Sequence, residues 1–328
     1  MDLETSALLH RGTVIPAHPL ALTEKRELDE ERQRALTRYY LDAGAGGLAV
    51  GVHTTQFEIR EHGLYRPVLE LAAEEMRDRT PFVRVAGVAG QTAQAVAEAE
   101  VARELGYDAV LVSPGGAARD LSLDDLLDRN AAIGEVLPTI GFYLQDAVGG
   151  RYLPRDYWQR LADQPSTVAV KAAPFDRYRT LELVQGVADS GRGTEVALYS
   201  GNDDNIVSDL LTPFHVRGGV RRFVGGLLGH WAVWTRSAVE ILQDAHAAVA
   251  GDVQARHRVE ERTAGCVDAN AAVFDVRNGF AGVIAGVHEV LRREGVLRGI
   301  WCLDPHETLS PGQAEELTRV QTTYDWLK

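Results

Sequence analysis

Lysine is the residue this chain nearly does without. Of 328 residues only Lys25, Lys171 and Lys328 are lysines, and arginine supplies almost all the positive charge. The chain also lacks an excess of basic residues. Its formal net charge of −13 argues against nucleic acid and anionic membrane surfaces as partners. Cysteine is scarce too: Cys266 and Cys302 have neither zinc-site nor redox-motif spacing, which speaks against a disulfide framework and for buried thiols in a reducing compartment. No apolar run approaches the length that spans a bilayer, and MDLETSALLHRG has no basic segment or apolar core of a signal peptide. A soluble, cytoplasmic protein is the expectation. No G-x-G-x-x-G stands between a strand and a helix, so a dinucleotide fold has little support.

What is present is ordinary globular material, 45% hydrophobic and 25% charged. Short β-branched runs alternate with amphipathic stretches. Strands are expected near 13–18, 47–52, 82–88, 109–113, 139–144, 167–172, 195–200 and 221–227. Between them lie helical patterns such as LDEERQRALTRYYLDAG and TAQAVAEAEVARELG, ending at Gly44 and Gly106. Eight such units predict an α/β fold, a (β/α)8 TIM barrel over residues 1–232. Residues 233–328 read as a C-terminal helical extension packed on the barrel, forming one structural unit with it.

In such a barrel the chemistry lies at the C-terminal strand ends. The strand ends point to His18, to His53-Thr54-Thr55, to Pro114-Gly115-Gly116, to Tyr143, to Lys171, to Ser200-Gly201-Asn202-Asp203, and to Gly225-Gly226 with His230 beyond. Lys171 closes the apolar run TVAVK, unlike Lys25, which stands in the charged run TEKRELDEER. A surface charge is served as well by arginine, whereas a desolvated lysine can lose its proton and attack a carbonyl. The plainer alternative is a strand-end lysine that snorkels to solvent.

At this point the residues match a family. The chain resembles the dihydrodipicolinate synthase / N-acetylneuraminate lyase superfamily of class I aldolases from about residue 11 to about 245. The resemblance is carried in order by GTVIPAHPL, LTRYYLDAGAGGLAVGV, VRVAGVAGQTAQAVAEAEVARELGYDAVLVSP, Tyr143 and Lys171 at a spacing of 28, and SGND at 200–203. It implies that Lys171 forms an imine with a 2-oxo acid, pyruvate or a pyruvate-like substrate, and that Tyr143 shuttles protons. It also implies a homodimer or homotetramer and calls for no cofactor. A protonated imine is an electron sink, which suits aldol cleavage and dehydration alike.

The match departs from the family's pattern in three places. After the second strand the family's threonine pair falls on His53 and Thr54 without a gap, or on Thr54 and Thr55 with an insertion. His53 is then a candidate proton relay or a packed histidine, and Thr54 and Thr55 are candidate carboxylate holders. The tyrosine pair of the diaminopimelate-pathway members is replaced by Pro114-Gly115-Gly116, and their arginine after the fifth strand has its counterpart only at Arg151. Dihydrodipicolinate synthase activity itself is therefore not expected, and a wider pocket for another aldehyde or sugar acid is. Gly201 and Gly226 are expected to let backbone approach the substrate. No metal is implied: Asp203 and Asp204 lack companion ligands and read as helix caps. Two rivals stand beside the lyase, a ligand-binding or regulatory barrel that has lost turnover and a metal- or phosphate-dependent barrel enzyme.

Overall fold

The computed structural model describes residues 1–328. Ten strands occur: β1 Val14–Pro16, β2 Gly47–Val50, β3 Val83–Val88, β4 Ala109–Val112, β5 Thr139–Leu144, β6 Thr167–Ala173, β7 Ala197–Ser200, β8 Phe214–Val216, β9 Gly219–Arg221 and β10 Gly225–Leu228. Eight of them form one parallel sheet in the order β1-β10-β7-β6-β5-β4-β3-β2. The sheet closes where Ala17 bridges Ala49 and the His18 amide donates to the Ala49 carbonyl at 2.8 Å. This is the expected (β/α)8 barrel.

Local chemistry sets the helix starts. The side chains of Asp29, Ser122 and Asp176 accept from the amides of Arg32, Asp125 and Arg179, capping the helices Glu30–Asp42, Leu123–Gly134 and Arg177–Asp189. The expected last strand at 221–227 is divided. Gly219–Arg221 turns back on Phe214–Val216 as an antiparallel hairpin, and the barrel strand begins only at Gly225. The two-residue turn of that hairpin is Arg217-Gly218, with Gly218 at φ +90°. The helix Leu3–Arg11 precedes the barrel, and Tyr199 reaches from the interior to donate to its Leu9 carbonyl at 2.8 Å.

Side chains segregate by strand alternation. The interior holds Ile15, Ala49, Val85, Leu111, Ile140, Phe142, Ala169, Ala173 and Leu227. Between sheet and helices lie two further clusters. One joins Tyr143, Trp158, Leu161, Val170 and Leu198. The other joins Leu36, Tyr40 and Leu69 to Val287, Leu291, Leu317 and Val320 from the helices Val283–Arg293 and Gln313–Thr323. No helix is long and apolar enough to cross a membrane.

Candidate active site

In-register residues of neighbouring parallel strands face the same side of the sheet. Phe142 of β5 and Tyr199 of β7 both pair with Lys171, so Lys171 faces the barrel interior near its C-terminal end. It is 8% exposed, and its Nζ lies 4.2 Å from the centroid of the Phe142 ring with no hydrogen bond or ion pair to hold it. Burial pulls its pKa down to about 8, against the opposing pull of the Asp203 carboxylate. Gly201 makes this placement possible, since a Cβ there would lie 2.5 Å from Lys171 Cε and 2.9 Å from Ala173 Cβ.

Asp203 comes next along the same turn. It caps no helix: the short helix Ile206–Leu211 follows Asn205, and Asp203 Oδ1 instead accepts the His230 amide at 2.9 Å. Burial pushes its carboxyl up to about 7, while the His230 amide and Lys171 pull it back. The turn is fixed from behind. Ser200 Oγ and Asn202 Nδ2 donate to Asp209 Oδ2 at 2.6 and 2.9 Å, and Asn202 Oδ1 accepts the Phe175 amide at 3.1 Å.

From β2, the turn His53–Thr55 supplies the opposite side. Burial and the Lys171 charge hold the His53 imidazole to about 4, so it is neutral near pH 7 and can both accept and donate. Thr54 is buried, and its hydroxyl faces Gly229, where a Cβ would lie 3.4 Å away. Lys171, Asp203, His53, Thr54 and Gly201 line one pocket of about 580 Å³, counted up to its mouth. Phe142, Leu144, Gln145, Val148 and Phe175 form its wall, and the C-terminal part of the chain adds Phe274 and Val283.

Three expected site residues lie elsewhere. Tyr143 pairs with Ala172, not Lys171, and faces the helices. Its ring stacks on Trp158 with centroids 5.2 Å apart, and its hydroxyl accepts the Leu153 amide at 3.3 Å. The pairing matches residues 29 apart, so a spacing of 28 sets tyrosine and lysine on opposite faces. Thr55 Oγ1 is committed to the turn, accepting the Gly51 amide at 3.0 Å and donating to the His18 carbonyl at 2.6 Å. Gly226 makes room for Trp231, whose ring would lie 2.2 Å from a Cβ there, and does not line the pocket.

The unassigned residues also find places. His18 is fully buried, Nδ1 against the Pro19 carbonyl at 2.8 Å and Nε2 against Thr37 Oγ1 at 2.9 Å, a packing role. Arg151 is spent on the backbone carbonyls of Arg119 and Leu121. His230 packs edge-on against Trp234 and holds Asp203 through its amide. No group of three or more His, Cys, Asp or Glu side chains is placed to hold a metal ion.

With this geometry in view, comparison with known proteins gives a consistent result. The model of the dihydrodipicolinate synthetase family matches residues 11–322. N-acetylneuraminate lyase of Citrobacter koseri is 29% identical over 203 residues, 60% of this chain and 65% of that protein, so the similarity spans less than two-thirds of the relative's length. Among solved structures, dihydrodipicolinate synthase of Acinetobacter baumannii, complexed with pyruvate, superposes with a TM-score of 0.77 at 20% identity, over 95% of this chain and 98% of its own. N-acetylneuraminate lyase of Mycoplasma synoviae superposes at 0.75 and 16% identity, over the whole of both chains. At such identities the structures speak for the fold.

Proposed function

Because this chain belongs to the dihydrodipicolinate synthetase family, we propose that it is a Schiff-base lyase, an aldolase or dehydratase acting on a pyruvate-like 2-oxo acid through Lys171. The observation that carries this reading is the lysine itself: nearly buried, unpaired, and set at the C-terminal end of a barrel strand. Burial keeps a usable fraction of its amine unprotonated near neutral pH. The amine attacks the 2-keto carbon, the carbonyl oxygen gains protons and leaves as water, and a protonated imine remains. With Tyr143 on the far face, His53 and Asp203 are the proton carriers, both lining the pocket: Asp203 titrates near neutral pH, and the neutral His53 ring can accept at one nitrogen and donate at the other. The Thr54 hydroxyl holds the substrate carboxylate. The barrel, residues 1–232, supplies the reacting groups, and residues 233–328 complete the pocket as part of the same unit through Phe274 and Val283.

Borohydride trapping with pyruvate and a panel of 2-oxo acids, read by intact mass and peptide mapping, tests this. A reduced adduct on Lys171, absent from Lys171→Arg, is expected. A folded protein that gives no adduct with any acid defeats the proposal. The outward Tyr143 favours one further reading, a binding barrel without turnover. Adduct formation with no product over long incubation would select it.

A further inference from the structure

The pocket has few polar side chains. Lys171, Asp203, His53 and Thr54 surround the position of the imine, and no arginine or second lysine lines the cavity. The larger side chains that complete the lining are Phe142, Leu144, Val148, Phe175, Phe274 and Val283, with Gln145 as the single amide, and the Phe142 ring lies against the lysine itself. Past Phe175 an outer basin opens that Phe280 also borders. The two phenylalanine rings meet edge to face at 6.2 Å.

Both phenylalanines hold a backbone that bulky residues rarely adopt, φ +51° at Phe175 and +69° at Phe280. The first is secured by the Asn202 side chain, and the second by the hydrogen bond from its amide to the Asp275 carbonyl at 3.0 Å. Strain of this kind persists where the surroundings enforce it, and it concentrates at functional sites. Here it places an aromatic collar at the exit from the imine centre. Arg179, which borders that basin, is paired with Asp146 at 2.9 Å, and Arg151 is held by backbone carbonyls. A second carboxylate on the substrate would find no free partner. Between the imine centre and the outer basin, hydroxyls would lose water and meet only the Gln145 amide, a costly exchange.

We propose that the group joined to the 2-oxo acid, and released or captured as an aldehyde, is apolar and of aromatic or branched-alkyl class, selected by the Phe142, Phe175, Phe274 and Phe280 rings. This rests on the Lys171 imine reading. In the synthetic direction the pyruvate methyl loses a proton to give the enamine, whose carbon attacks the aldehyde carbon. One carbon–carbon bond forms, the aldehyde oxygen takes up the proton as a hydroxyl, and water then frees the amine. The rival occupant is a polyhydroxylated chain reaching the outer basin, where Asn270 Nδ2 and Asp204 Oδ1 have no partner.

The test is condensation of pyruvate with benzaldehyde, isovaleraldehyde, glyceraldehyde and glyoxylate, with rates normalised to the pyruvate adduct that each protein forms under borohydride. The apolar aldehydes are expected to exceed the hydroxylated and charged ones by about 100-fold in kcat/KM. Phe175→Ala and Phe280→Ala should each cut benzaldehyde turnover about tenfold. Comparable or better use of glyceraldehyde or glyoxylate overturns the proposal. So does insensitivity to both substitutions, or a pyruvate adduct with no condensation at all. Should no adduct form, the imine reading fails by itself. Calorimetric binding of 4-phenyl-2-oxobutanoate against a polyhydroxylated 2-oxo acid then decides the collar's preference.

Discussion

Replacing Asp203 by asparagine should make Lys171 a better nucleophile at neutral pH while making the enzyme worse. Two opposing effects set the amine: burial lowers its pKa to about 8, and the neighbouring carboxylate keeps it from falling further. At pH 7 a pKa of about 8 leaves roughly one lysine in ten as free amine, against about one in 3,000 at the ordinary value. Removing the carboxylate charge while keeping the shape takes away the effect that favours the ammonium, and a neighbouring charge of this kind is worth about one pKa unit or more. The midpoint should then fall to about 7, half the amine should be free at pH 7, and attack on pyruvate should rise about fivefold. The assay is the initial rate of borohydride-trapped adduct by intact mass from pH 5.5 to 9.5. The midpoint carries the test, because the plateau also reflects loss of a proton carrier. Turnover of any substrate should drop about 100-fold in the same variant, the scale of one general acid–base group. A midpoint that stays in place or moves upward would refute the electrostatic account, and undiminished turnover would remove Asp203 from the proton path.

Three further outcomes are expected. Tyr143→Phe should leave the trapping rate within about threefold and cost no more than about 1 kcal/mol by denaturant titration, since its hydroxyl only accepts one long bond from Leu153. A hundredfold loss would return the tyrosine to the reaction. Gly201→Ala should abolish adduct formation in a folded protein, because the new methyl lies where Lys171 Cε runs; a normal adduct yield would show that the lysine stem can take another path. Lys171→Met should stabilise the fold, by up to about 3 kcal/mol if the whole displacement from 10.5 to about 8 reflects burial of the charge. The sign follows from proton uptake: between pH 8 and 10.5 the unfolded chain binds the proton and the folded one does not. The gain is thus full below pH 8 and fades as pH rises towards 10.5, and thermal melts at pH 7 and 9.5 would show it.

The barrel and half of its site are legible in the sequence because they depend on local signals. Alternating strand and helix patterns place Lys171, His53, Thr54 and Gly201 at strand ends, and the strand-end rule brings them together in space. Tyr143 escapes that reasoning because its face is decided by hydrogen-bond pairing between β5 and β6. A pairing of residues 29 apart turns the tyrosine outward and Phe142 inward, and no feature of either strand alone reveals which holds. In the sequence Asp203 reads as an acidic helix cap after β7, not as a neighbour of the lysine. Beside the lysine its carboxylate accepts the His230 amide, which arrives from beyond β10.

The collar depends on contacts across still longer stretches of chain, and this bears on specificity. Phe175 follows β6, whereas Phe274, Phe280 and Val283 come from the helical part about 100 residues later, beyond the segments whose order identifies the family. Imine chemistry needs only the lysine, a proton carrier and a carboxylate holder, all of which the barrel provides. What the imine is joined to is decided by the surface facing it, and here that surface is built largely from residues that carry no reacting group. The two parts are therefore separable by mutation. Exchanging Phe274 for leucine should alter the ranking of aldehydes while the pH midpoint of pyruvate trapping stays near 8, because leucine keeps an apolar group in the pocket lining and the charge that acts on Lys171 is that of Asp203. A midpoint displaced by a whole unit in that variant would show that the collar and the imine centre are one coupled device.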